Sequence, residues 1–399
     1  MNYFQKLYGF KEKDANLLEI IKKYFIHNKK DHTLISTVNK RKFICGNFEL
    51  LSLGELRKNI DLNSDLIKST INKENNKISV KNVQGDVSNF HNNPTNKFAT
   101  FQGASQFNCL EFASQNGSPE NGITCYAMDK TQGPCCAITC SPGTVIRNYF
   151  AFDPKNKKTS IFDFINPAKI IEENQEIEEN PDINEPQTKD SQINCLSRID
   201  FLLKNNNEKY FTVKNGYTNS TKTKLENFNK FLTENPKILH EMEENFISGV
   251  QFDTEVVAPN FGNNIVFTDE VSQKIIVTQV YNSAISVSYS DCSWFKWEKF
   301  ACFILECAYE FCLYCGVINA LKHGGESGSR KVYLTNLGGG VFGNKMSAIK
   351  NAILKALVKF DGVGLEVYIV GYGAIDPEMR NIESEFQEKR EKLNKFMDL

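Results

Sequence analysis

Residues 331–360, KVYLTNLGGGVFGNKMSAIKNAILKALVKF, constrain the fold more tightly than any other stretch. Val332 and Leu334 alternate as β-formers, three glycines follow, and the segment continues in an apolar pattern at helical spacing. Ile349, Ile353, Ala356 and Leu357 share one helix face, the i, i+4, i+7, i+8 signature. The unit is therefore strand, glycine loop, helix. Such a loop lets backbone N–H groups close on an anion, and a helix N-terminus adds about half a positive charge. Phosphate is the natural guest. Gly343 is followed by Asn344, so the loop is not a Walker A, which needs Lys and then Ser or Thr. Its spacing is not the dinucleotide fingerprint either. A tight turn with no ligand satisfies the same residues.

At 399 residues the chain is long enough for a large core, in two domains or in one with insertions. A net charge of −1 gives no argument for nucleic acid or an anionic membrane as partner. Five histidines are few for a His-based metal enzyme, and no metal or organic cofactor is expected. The N-terminus MNYFQKLYGFKEKD lacks the apolar region of a signal peptide. Several of the twelve cysteines (Cys302, Cys307, Cys312, Cys315) sit in apolar runs, where reduced Cys behaves as a small hydrophobe. The chain reads as a cytosolic, reduced monomer.

Residues 1–75 read as a helical extension, with an amphipathic stretch at 15–25 and a second element at 54–62. Segment 78–87 alternates like a strand and ends in Gly85-Asp86-Val87, and 98–108 is an apolar strand that stops at Asn108. The turn-rich stretch 117–134, GSPENGITCYAMDKTQGP, is long for a compact domain, a mark of functional loops. Core returns at 135–152. Residues 153–250 open with acidic, proline-punctuated sequence, continue rich in Asn and Lys, and read as an insertion peripheral to the core. Residues 275–289 form a buried strand, and 376–399 a charged, exposed helix.

Segment 300–321 is long enough to span a membrane. It carries Glu306 and Glu310, each costing about 3 kcal/mol at a membrane centre, so a buried helix of a soluble domain is expected. The two acids stand at i, i+4 on one face. Buried acids must be paired, protonated or used, which leaves a salt bridge, a cation clamp or an acid–base role open. Cys135-Cys136 beside the long loop offers a nucleophile, although no histidine is tied to it by pattern. Cys312 and Cys315 form one C-x-x-C pair on an apolar helix, where buried thiols are favoured over zinc.

Taken in order, these pieces resemble the macrodomain, a three-layer α/β/α mixed-sheet fold that binds ADP-ribose. Gly340-Val341-Phe342-Gly343 fits that family's Gly-hydrophobic-aromatic-Gly loop, Gly85-Asp86-Val87 its first-strand acid, and 103–108 its asparagine strand end. The likeness covers 80–150 and 260–373, within a domain at 76–375 that the insertion interrupts. ASQFNCLEF, SPENGITCY, DKTQGP and IRNYF together are similar to the arginine-specific macrodomain ADP-ribosyl hydrolases, the family of MavL, which acts on ubiquitin arginine. Loop 117–134 departs from ordinary macrodomains in lacking their run of glycines. The three glycines and Gln-Glu-Glu of the glycohydrolases are also absent from it.

The resemblance implies an ADP-ribosyl hydrolase acting on a modified protein side chain, arginine foremost and ubiquitin among its partners, or else a non-catalytic reader. It implies that Gly338, Gly339, Gly340, Val341, Phe342, Gly343 and Asn344, with Gly122, hold the diphosphate. Asp86 and Val87 would meet adenine, and Asn108 the ribose beside the scissile bond. Glu120 and Asp129 in the loop, and Glu306 and Glu310 on the helix, are the carboxylates that could bind guanidinium and orient water.

Overall fold

The computed structural model describes residues 2–12, 17–74, 76–152, 185–205, 209–257 and 274–397. The expected three-layer α/β/α arrangement is present, built on a seven-stranded mixed sheet. Its strands are β4 (Asn47–Ser52), β5 (Ser79–Gln84), β6 (Thr100–Ala104), β9 (Ile247–Glu255), β10 (Ile276–Asn282), β11 (Lys331–Thr335) and β12 (Glu366–Gly371). They lie in the order β4-β9-β10-β6-β11-β12-β5. Strand β9 runs antiparallel to both of its neighbours, while β10, β6, β11, β12 and β5 pair in parallel. The C-terminal ends of those five strands therefore share one edge, where open α/β sheets keep their ligand crevice.

One face of the sheet carries the helices Trp294–Lys322 and Met346–Lys359. Val332 and Leu334 of β11 point into that layer, and Tyr333 between them packs on the opposite side. Helix Trp294–Lys322 is long and apolar enough to cross a membrane by length and composition, but most of its apolar window is buried inside the protein. It lies so close to the sheet that a Cβ on Gly316 would stand 2.6 Å from Val332 Cγ2. The opposite face carries Val87–His91, Gln132–Thr139 and Ser141–Tyr149. His91 stacks on Phe101 of β6 there, with ring centroids 3.7 Å apart.

Two expectations about organisation need correction. The N-terminal extension is not only helical: besides Tyr3–Tyr8 and Leu17–Tyr24 it holds a small sheet of β1 (Phe25–Asn28), β2 (Thr33–Ser36) and β3 (Lys42–Ile44). It also supplies β4, an edge strand of the main sheet, so no domain boundary falls at residue 75. Within the supposed insertion, 153–184 lies outside the described residues. The described residues beyond it contribute to the core. Leu225, Phe228 and Leu232 recur at helical spacing on Lys222–Glu234 and bury against the long helix. The hairpin of β7 (Thr212–Lys214) and β8 (Tyr217–Asn219) adds buried Tyr217, and β9 begins at Ile247. Asn and Lys dominate the composition of this region because they occupy its outward faces, which hides the buried stripe.

Candidate functional site

A cavity of about 200 Å³ opens at the C-terminal ends of β6, β10 and β11. One wall is the glycine loop. Gly338 and Gly343 have φ of +71° and +73°, and a Cβ on Gly343 would meet Ser288 Oγ at 2.1 Å. Asn344 closes the turn from behind: its backbone N–H donates to Gly338 O (3.0 Å) and its side-chain amide to Ile285 O (2.8 Å). Phe342 packs between Tyr217, with the rings tilted by 52°, and Tyr289, which it meets edge-on. The N–H groups of Gly340, Val341 and Phe342 have no acceptor among the described residues. Three successive unspent amides on a loop that lines a cavity are a candidate anion cradle. Gly340 is exposed, and a Cβ there meets nothing within 4 Å.

The other wall comes from 105–134. Gly133, in the first turn of Gln132–Thr139, packs so tightly on β6 that a Cβ would lie 1.8 Å from Ala104 O. The Gln132 side chain spans the same gap, accepting from Ala104 N (2.8 Å) and donating to Gln102 O (2.7 Å). Farther out, the loop is pegged from a distance. Glu12 of the N-terminal extension is buried and accepts from Ile123 N (2.8 Å), Thr124 N (2.5 Å) and Tyr149 OH (2.5 Å). Burial raises the Glu12 carboxyl above its usual range, against those hydrogen bonds. Gly122, with φ +75°, is the residue that lets the loop pass this carboxylate.

Beyond Glu111 and Asp129 a second cavity of about 620 Å³ continues from the first, lined also by Glu120, Tyr126 and Cys125. Glu111 and Asp129 line both cavities and so stand at their junction. Glu111 is fully buried. Both of its carboxyl oxygens accept from Arg147 Nη2 (3.0 and 2.9 Å). Burial pushes the Glu111 carboxyl up to about 8, and the guanidinium pulls against that rise without cancelling it. A carboxyl group that holds its proton near neutrality in a cleft is suited to general acid–base work.

The sequence singled out several residues that the structure places elsewhere. Glu306 pairs with Lys355 (2.5 Å). Glu310 is held by Arg57 (Nε, 2.7 Å) and Lys359. Neither acid lines either cavity, so the acid–base role gives way to ion pairing between the long helix and its neighbours. Burial acts to raise the Glu310 carboxyl, but Arg57 and Lys359 outweigh it and hold the group below its usual value. Asn108 sits behind the wall, donating to Gln192 Oε1 (2.9 Å) and accepting from Leu110 N (3.1 Å). It lies beyond the end of β6, where the chain has already turned away from the sheet edge. Gly122 and Asn344 brace their loops and do not line the cavity. Gly339 and Gly343 likewise shape the turn, while Gly338, Gly340, Val341 and Phe342 face the cavity.

Asp86 caps the short helix Val87–His91, accepting from Ser88 N (2.8 Å), and Val87 is buried below it. Both stand at the end of β5, apart from the two cavities. Glu120 lines the second cavity and accepts from Lys189 N (2.7 Å). Cys135 and Cys136 are buried thiols, Cys135 pushed up to about 12 chiefly by burial, which removes the thiolate a nucleophile needs. All twelve cysteines are unbridged. Glu111 escaped the sequence reading, although its only signal was available: an acid inside the apolar run Cys109–Phe112, with an arginine inside the buried pattern of 141–149.

No family model matches the chain, and no curated protein matches it. Among solved structures, poly(ADP-ribose) glycohydrolase from Deinococcus radiodurans in complex with ADP-ribose aligns over 87% of this chain and 95% of its own, at 8% identity and TM-score 0.36. The Thermomonospora curvata enzyme bound to the inhibitor ADP-HPD aligns over 94% and 97%, at 9% identity and TM-score 0.35. In another crystal form of the Deinococcus protein the match spans about half of that neighbour, 53%, at 11% identity and TM-score 0.25. Likeness at that level assigns no role to any residue of this chain.

Proposed function

We propose that this protein hydrolyses the bond between ADP-ribose and a protein side chain, arginine foremost. The observation that carries the reading is the pair of carboxyl groups, Glu111 and Asp129, at the junction of a phosphate-cradling cavity and a second, acidic one. The diphosphate rests on the amides of Gly340, Val341 and Phe342, with the first turn of Gln132–Thr139 opposite. Toward the sheet edge, Asp86 ends β5 and exposed Tyr372 follows β12, its neighbour in register. An aromatic face and a hydrogen-bond acceptor there suit a purine.

Cleavage of an ADP-ribosyl bond passes through an oxocarbenium-like state, as glycoside hydrolysis does, and is served by two carboxyl groups flanking the bond. Neutral guanidine is a poor leaving group. The C–N bond breaks with its electrons on the departing nitrogen, which takes the proton of Glu111; Asp129 binds the guanidinium, orients water, and takes that water's proton as its oxygen bonds to the anomeric carbon. Glu120 adds a third acid to the cavity that receives the leaving side chain.

The test incubates the protein with an arginine-ADP-ribosylated polypeptide and follows free ADP-ribose. Glu111→Gln is expected to lose about 100- to 10,000-fold in turnover, with ADP-ribose affinity by calorimetry nearly unchanged. Wild-type protein that binds ADP-ribose yet releases none from any conjugate would be a reader. No ADP-ribose binding at all would remove the basis of both.

A further inference from the structure

We propose that Arg147 is a positioning residue for the acid–base step, aiming the Glu111 carboxyl at the cavity junction. The inference rests on the role given to Glu111 above. Every residue of the helix Ser141–Tyr149 is buried, and Arg147 has no exposed side-chain surface. Its guanidinium lies over the Tyr281 ring of β10, 4.1 Å from the centroid. That ring is fixed in turn by the Tyr281 OH, which donates to Gln279 Oε1 (3.0 Å). A single nitrogen, Nη2, serves both carboxyl oxygens, and Nε and Nη1 find no partner among the described residues.

Two buried, unsatisfied donors are costly, and a buried ion pair is often no more stable than apolar side chains of the same volume. Stability alone therefore does not account for the arrangement. An aimed cation does. Arg147 faces Glu111 from below; Tyr126, whose OH accepts from Glu111 N (3.1 Å), faces it from the loop. Tyr281 and Cys136, both neutral in this burial, stand on the sheet side, and Asp129 faces it across the junction. Among these groups Arg147 is the one cation. It opposes the rise that burial imposes on the carboxyl, so the group titrates within the working range.

The experiment records kcat and KM against pH for wild type, Arg147→Met and Arg147→Lys, with melting temperature and ADP-ribose affinity beside them. Arg147→Met is expected to lower kcat about 100-fold at unchanged ADP-ribose affinity, and to move the Glu111 limb upward by about one pH unit or more. Arg147→Lys should restore the limb and part of kcat. A change in melting temperature with an unmoved pH profile would make Arg147 merely structural and overturn the inference. If Arg147→Met does not fold, Tyr281→Leu removes the platform and keeps the cation. It should then lower kcat without raising KM, and unaltered kcat there overturns the inference as well. Glu111→Gln separates the two ideas. Full turnover in that variant sinks the acid–base role itself, whereas loss of turnover beside an unmoved Arg147→Met profile sinks only this inference.

Discussion

Loops 338–343 and 117–134 face each other across one cleft, yet the first closes on its own backbone and rests on the turn at 285–289, while the second hangs on a segment more than a hundred positions away. The glycine loop closes on its own backbone, through Gly343 N to Gly340 O (3.0 Å) and Asn344 N to Gly338 O (3.0 Å). Loop 117–134 instead hangs on the buried carboxylate of Glu12, and Tyr3 adds a bond to Ile123 O (3.0 Å). Apolar packing follows the same division: Ile123 and Tyr126 belong to the cluster built around Phe4, Tyr8 and Phe25 of the extension. A wall fixed locally can offer bare amides to a ligand, because nothing else needs to cover it. A wall fixed from outside can carry side-chain chemistry, and its geometry depends on the anchor.

Glu12→Ala is the largest test of that difference. It strands two amides and a phenol, at about 3 kcal/mol, and should expose 117–134 to protease while the glycine loop stays protected. Equal protection of both loops in the variant would break the comparison. Gly340→Trp tests the other wall. The side chain projects into open space, so melting should hardly move, but two or more charged hydrogen bonds to phosphate are lost and ADP-ribose affinity falls about 100-fold. Retained affinity, measured by calorimetry, would show that the loop is only a turn.

The smallest effect sharpens the contrast through pH. Glu310→Gln should cost about 1–2 kcal/mol and leave hydrolysis untouched. The folded-state value of Glu310 is lowered, so its contribution is full above the usual glutamate value near 4.5 and is lost as pH falls through the folded value. Glu12 has the opposite sign: its folded value is raised, so its contribution is greatest at low pH and declines as pH rises from about 4.5 through the folded value. Denaturant titrations of each Gln variant against wild type should therefore diverge in opposite directions with pH, and parallel curves would refute the assignment of the shifts.

The strand–loop–helix unit at 331–360 was readable because its signals are local: Ile349, Ile353, Ala356 and Leu357 are all buried as their spacing predicts. The strands β5 and β10 were readable for the same reason. What stayed hidden depends on partners far along the chain. Strand β4 is a strand because β9 lies beside it, and Glu111 is buried in the interior because Arg147 lies there to meet it. Glu306 and Glu310 show the converse. Their helical spacing placed them together on one face, but spacing could not say that Arg57, Lys355 and Lys359 would meet them there.

The parallel pairing of β5 with β12 has a consequence for how the molecule comes into being. Strand β5 is made long before its partner β12, which follows every other strand of the sheet. At bacterial or eukaryotic elongation rates the interval is on the order of tens of seconds. Throughout it, β5 presents unpaired amides and carbonyls that a neighbouring nascent chain could capture. Sheet completion thus waits on β12, a pairing with high contact order and a slow rate. A chain stopped before Glu366 would contain both walls of the cleft and still lack the strand that joins β5 to β11.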